Sequence, residues 1–252
     1  MPKDSQPDIT YLDGRDGRRL AYRLRTGATP TLVFLPGYAS DMDGAKAVAL
    51  DGFAERRGAA MLRFDYSGTG ASAGSFADGT LDRWRDDALA AIDALAAGPI
   101  ILIGSSMGAW IALHVALTLP ERIAALVGIA AAPDFTDWGF SDALKKEVLE
   151  HGKIERRDRY GGEPRLTTRG FWESGQAMQL LNAPIAIECP VRLVHGDADH
   201  DVPVGIAIRL MAQLRSADVQ LNILKGGGHR LSEPHEIATI VRTVAALLEP
   251  SP

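Results

Sequence analysis

Five short apolar runs recur along the chain, and their spacing limits the fold more than any other feature. They read "TLVFLPG" (31–37), "AAMLRFDYSG" (59–68), "PIILIGSS" (99–106), "IAALVGIA" (123–130) and "VRLVHGD" (191–197). A continuous apolar run bounded by turn residues marks a strand covered on both faces, as in a parallel sheet. Amphipathic stretches of helical period separate the runs, among them "DGTLDRWRDDALAAIDALAAG" (78–98) and "MGAWIALHVALTLPE" (107–121). Such alternation predicts an α/β fold, a mostly parallel sheet with helices on both faces. The two segments before the first run, "DITYLDGRDG" and "RRLAYRLRTG", make a hairpin pattern around "DGRDG" (13–17) instead. The sheet is therefore expected to begin antiparallel.

With 252 residues the chain can bury one large core, and it reads as a single domain over 1–252 with an insertion at about 134–183. A formal net charge of -5 leaves no basic footprint for nucleic acid. The opening "MPKDSQPDITYLDG" shows neither a signal-peptide core nor an Arg-rich transit pattern. No apolar stretch approaches the ~18 residues of a membrane span. The one cysteine, Cys189, excludes an internal disulfide and a cysteine-built metal site. A soluble cytoplasmic protein is the expectation.

Between Asp134 and Ala183 the strand signals stop and charge rises, as in "LKKEVLEHGKIERRDRYGGEPRLTTRGFWESG". Trp138, Phe140, Phe171 and Trp172 gather at the margins of this segment. Solvated loops seldom hold so many large aromatics, so the segment reads as a lid. Its aromatics are expected to line an apolar acyl slot, with Arg156, Arg157, Arg159, Arg165 and Arg169 outside at the rim. The alternative is a surface excursion whose aromatics only pack it onto the domain.

Gly104-Ser105-Ser106-Met107-Gly108 fits G-x-S-x-G, the tight strand-to-helix turn that presents a nucleophilic serine. The residues two before and two after such a serine must be small, because strand and helix approach closely there. Glycines flank Ser106 in this way, whereas Ser105 would have Ile103 and Met107. Ser106 is the candidate nucleophile.

A serine hydroxyl needs a base, and the base needs an orienting acid, in the chain order Ser, Asp or Glu, His. His229 follows three glycines in "VQLNILKGGGHRLSEP" (219–234) and is the chosen base. His114, on the helix that Ser106 opens, reads as a core or half-buried histidine. Three aspartates alternate in "VRLVHGDADHDVP" (191–203). Asp197 comes too soon after the strand and suits a turn cap. Asp201 stands before Val202-Pro203 and suits a helix cap. Asp199 is the preferred acid, with Asp201 the alternative. His195, Asp197, Asp199, His200 and His229 could also be read as mixed metal ligands, but that leaves the serine turn unexplained.

Acyl transfer requires donors for the developing oxyanion, and the backbone N–H groups of Met107 and Tyr38 are the expected pair. Gly68 to Gly74, within "FDYSGTGASAG", resembles a dinucleotide fingerprint. It lies outside the first βαβ unit, and no strand ends in an acid about 20 residues later, so it reads as a turn flanking the site.

Taken together, these segments resemble the α/β-hydrolase superfamily. "HGDADHDVP" is similar to its H-G-x-x-D-x-x-V-P pattern, in which the triad acid is the fifth position, Asp199 here. "FDYSGTGAS" resembles its D-x-x-G-x-G-x-S loop. "FLPGYASDMDGAKA", "GSSMGAW" and "CPVRLVHGDADHDVP" resemble the branch of palmitoyl-protein thioesterases and acyl-glucuronide esterases, over about Ile9 to Leu248. The resemblance implies serine-dependent cleavage of acyl thioesters and carboxylic esters by Ser106, Asp199 and His229, with no cofactor and no metal. Its substrates would be small acyl esters or thioesters and acylated proteins. Animal members of the branch carry a mitochondrial targeting segment, a pattern the opening residues lack. Peptidase or carbon–carbon hydrolase chemistry, or ligand binding without catalysis, are the rival readings.

Overall fold

The computed structural model describes residues 6–13, 17–157, 161 and 164–249. Its strands are β1 (Thr10–Asp13), β2 (Arg19–Arg25), β3 (Ala28–Leu35), β4 (Ala59–Phe64), β5 (Ile100–Ser105), β6 (Ile123–Ile129), β7 (Lys153–Arg156), β8 (Arg165–Thr168), β9 (Val191–Gly196) and β10 (Val219–Leu224). The helices are α1 (Ala45–Arg57), α2 (Leu81–Leu95), α3 (Met107–Thr118), α4 (Phe135–Trp138), α5 (Asp142–His151), α6 (Arg169–Ala177), α7 (Val204–Gln213) and α8 (Pro234–Leu247). Eight strands form one sheet in the order β1-β2-β4-β3-β5-β6-β9-β10. The pairs β1–β2 and β2–β4 are antiparallel and the others parallel, as the opening hairpin pattern and the apolar runs predict. Residues 14–16 of the predicted "DGRDG" turn lie outside the described residues.

The apolar runs are continuous because both faces of the central strands are covered. Along β3, Val33 and Leu35 join the core beneath α2 and α3, while Leu32 and Phe34 join the core on the opposite face, beneath α1. Each such side chain stabilises the fold by about 1.5–3 kcal/mol on burial. The second helix, α2, is amphipathic and begins at Thr80, whose hydroxyl accepts the Arg83 N–H. By contrast α3 is apolar all round, with Met107 to Leu113 buried, because it packs between the sheet and α2.

Between β6 and β9 the chain leaves the eight-stranded sheet in an excursion. It is not free of strands: β7 and β8 pair antiparallel as a separate two-stranded sheet. The sequence hides this pair because each strand buries one side chain, Ile154 in β7 and Thr167 in β8. One such residue per strand leaves no period to read. The excursion is closed at its base by Asp134, whose carboxylate accepts the N–H groups of Leu180 (2.8 Å) and Leu181 (2.7 Å).

Candidate active site

The chain turns from β5 into α3 at Ser106, which has φ 54° and ψ -118°. This backbone conformation is sparsely populated by residues with a side chain and persists only where the surroundings over-determine it. They do so here. The Ser106 N–H donates to Ile129 O (2.8 Å), and Ser106 O accepts from Ala109 N (3.0 Å) and Ala132 N (3.2 Å). The flanking glycines are required by close approach. A Cβ at Gly104 would lie 2.4 Å from Ala109 Cα, and one at Gly108 would lie 2.1 Å from Leu35 O.

Two further loops at the same edge of the sheet complete the arrangement. His229 Nε2 lies 3.0 Å from Ser106 Oγ, and His229 Nδ1 donates to Asp199 Oδ2 over 2.8 Å. Asp199 comes from the loop after β9, and its side chain is fully buried. Its other oxygen accepts the N–H groups of Asp201 (2.9 Å) and Val202 (2.8 Å). Burial by itself would raise the Asp199 carboxyl. The His229 hydrogen bond and charge, with the two backbone donors, outweigh burial and hold it below the ordinary carboxylate value. Asp199 is thus an anion that fixes the imidazole.

The supporting residues are partly those expected. His195 is buried and donates from Nε2 to Val202 O (2.9 Å), steadying the strand of chain that holds Asp199. Asp197 does cap a turn, but that of the neighbouring loop, accepting the Gly226 N–H at 2.6 Å. With Ala198 N donating to Gly227 O (3.0 Å), it ties the acid loop to the histidine loop. Asp201 does not cap α7, whose N-cap is Pro203 with no side-chain cap bond; it lines the cavity above Ser106 instead. His114 is half-buried, with Nε2 2.9 Å from Met178 O.

The Met107 N–H belongs to the first turn of α3 and so has no intrahelical acceptor. The loop after β3 lies against the serine turn, since a Cβ on Gly37 would meet Ser106 Cβ at 3.4 Å. This loop brings Tyr38 to the cavity. Met42 in the same loop is held at both backbone groups. Its N–H donates to Asp65 Oδ1 (2.7 Å), and its carbonyl accepts from Arg63 (2.9 Å). Asp65 begins the glycine-rich segment, so that segment is a brace for this loop: Asp65 Oδ2 also accepts Ala71 N at 2.8 Å.

The predicted aromatic slot needs correction. Trp138 lines the cavity over Ser106, but Phe140, Phe171 and Trp172 do not. Phe171 is buried against Tyr38, Trp84 and Phe135, while Phe140 and Trp172 pack around Val148 and Ile154. Phe171 fastens the excursion to the sheet domain, and Phe140 and Trp172 build a small core within it, because rings of this size gain more from a dry core than from a wet cavity wall. The rim arginines are corrected in the opposite direction. Arg156, Arg157 and Arg165 line the cavity together with Ser106 and His229. Arg169 instead pairs with Glu173 at 2.7 Å, and Arg159 lies outside the described residues. Phe135 and Val202 also line the cavity; Val202 stands at the V of the H-G-x-x-D-x-x-V-P pattern, whereas Phe135 carried no signal beyond its apolarity.

A mixed sheet of this order, with a strained serine, a histidine and a carboxylate in hydrogen-bonded series at its edge, is the architecture of α/β hydrolases. The family signature described as alpha/beta hydrolase fold matches residues 30–154, and a human relative, palmitoyl-protein thioesterase ABHD10, mitochondrial, is 38% identical over 245 residues. That alignment spans 96% of this chain and 80% of the human protein. The chain belongs to the α/β-hydrolase family. Mouse alpha/beta hydrolase domain-containing protein 10 superposes with a TM-score of 0.89 at 37% identity, covering 96% of this chain and 98% of that one. A solved structure from Agrobacterium vitis S4 gives a TM-score of 0.90 at 38% identity, covering 96% of this chain and 99% of that one. The cytoplasmic expectation is overturned by these relatives, since the curated ABHD10 proteins of human, orangutan and mouse are named as mitochondrial. Charge and hydropathy report how a chain meets water, which says nothing of its compartment. Among the described residues no helix is long and apolar enough to cross a membrane.

Proposed function

We propose that this protein is a serine hydrolase of acyl thioesters and carboxylic esters, in keeping with relatives named palmitoyl-protein thioesterases. Ser106 Oγ attacks the acyl carbonyl while His229 Nε2 takes its proton. Asp199 holds the Nδ1 proton and stabilises the imidazolium. The Tyr38 and Met107 N–H groups donate to the oxyanion of the tetrahedral intermediate. His229 then protonates the departing thiolate or alkoxide, and water, activated by the same imidazole, releases the acid from Ser106. Residues 134–183 act as a lid on a single domain, with Trp138 over the reacting carbonyl.

The observation that carries this reading is the unbroken series from Asp199 through His229 to Ser106, at 2.8 Å and 3.0 Å, ending on a serine at positive φ. A binding protein gains nothing from holding a serine in such a conformation. Labelling with a fluorophosphonate probe tests it. The wild-type protein and Ser105→Ala should label, and Ser106→Ala should not, with turnover of thioesters and esters falling roughly 10⁴-fold or more. Labelling that follows Ser105 would refute the assignment, and turnover confined to amides would replace it with a peptidase.

A further inference from the structure

Two cavities meet at Ser106. One, of about 620 Å³, opens between the loop after β3 and the histidine loop, with Ser40, Lys46 and Arg230 on its walls. The other, of about 310 Å³, is bounded by Phe135 and Trp138 of α4 and holds Arg156, Arg157 and Arg165. The register of the β7–β8 pair sets Arg156 directly opposite Arg165. Like charges directly opposite destabilise a strand pair, and both residues are half-buried, where salt screens them poorly. Stacking on Phe140, with the guanidinium carbon 4.6 Å from the ring centroid, fixes Arg156 in place. Burial pulls the Arg156 pKa down; Tyr38 and Asp201 oppose this, and Arg165 adds to it. Among the described residues Asp201 is the carboxylate that lines this cavity.

We propose that Arg156 and Arg165 form a carboxylate-binding subsite for the far end of the acyl group. The enzyme would then prefer half-thioesters and half-esters of dicarboxylic acids to neutral acyl groups of equal length. This rests on the hydrolase reading above. Guanidinium forks match a carboxylate in geometry and form charge-assisted hydrogen bonds with it. The acyl side is assigned because Arg156 and Arg157 belong to the smaller cavity, while Arg165 lines both, and a protein or carrier thiol requires the larger.

The test compares S-adipoyl- and S-hexanoyl-N-acetylcysteamine, which share chain length and leaving thiol and differ in the terminal carboxylate. The adipoyl substrate should show a kcat/KM about tenfold higher or more. Arg165→Gln should bring that ratio toward one, and Arg165→Lys should keep part of it, since lysine retains the charge without the fork. Damage to the lid alone would lower both substrates together and leave the ratio unchanged, which overturns the subsite. S-hexanoyl-3-mercaptopropionate moves the carboxylate to the leaving group, and a preference for it without one for adipoyl overturns the acyl-side assignment. A wild-type ratio of one or less, in protein whose Ser106 labels with fluorophosphonate, overturns the subsite and spares the hydrolase reading. Failure to label overturns the hydrolase reading itself.

Discussion

Replacing Ser106 by glycine and, separately, by alanine isolates the strain that the turn stores. Both variants lose the hydroxyl and its 3.0 Å contact with His229, so that loss cancels in the comparison. Alanine keeps a Cβ in a backbone at φ 54°, ψ -118°, while glycine occupies that region freely. Strain of this kind is about 1–3 kcal/mol. Glycine's greater freedom in the unfolded chain offsets about 0.4–1 kcal/mol of it. Ser106→Gly should therefore be the more stable of the two by about 1–2 kcal/mol, the reverse of glycine's usual effect. For a chain of this size that corresponds to a rise in Tm of about 2–8 °C relative to Ser106→Ala, read by calorimetry or circular dichroism. Both variants should be inactive. If Ser106→Ala melts at the same temperature as Ser106→Gly or higher, the turn stores no more strain than the ~0.4–1 kcal/mol that glycine's freedom offsets, and the argument from its geometry fails.

Asp199→Asn should fold yet lose on the order of 10⁴-fold in kcat, as the imidazole loses its orienting anion, whereas Asp201→Asn should cost far less; steady-state kinetics on one thioester decides between them. Because Asp199 titrates below the ordinary carboxylate value in the folded protein, its contribution to stability is present above about pH 4 and is lost as pH falls through the folded pKa. Urea titrations across this range should thus show the stability of the wild type falling more steeply on acidification than that of Asp199→Asn, which lacks this dependence. Phe171→Ala should destabilise by about 3–5 kcal/mol in urea titration, since the ring is buried among Tyr38, Trp84 and Phe135. Trp138→Ala should leave the melting point within a few degrees and raise KM, because that ring is half-buried on the cavity wall.

The alternation of apolar runs with helical stretches determined the α/β class, and the antiparallel opening hairpin was legible from its turn residues. The serine was legible too, because Gly104 and Gly108 leave room for one residue only between strand and helix. The order Ser, Asp, His narrowed the partners to His229 and a short cluster of aspartates. These features share a cause: each is a local steric or periodic demand that acts within a few residues of chain. Tertiary packing decided the rest. Whether Asp197, Asp199 or Asp201 meets His229 depends on how the loop after β9 lies against the loop after β10, fixed by bonds from Asp201 N, Val202 N and Ala198 N. Whether an aromatic of the excursion faces the site or the core depends on contacts with Tyr38 and Trp84, which lie far away in sequence. The arginines entered the cavity because a pairing of two weakly apolar strands set them there, and no periodicity in the chain announces that register.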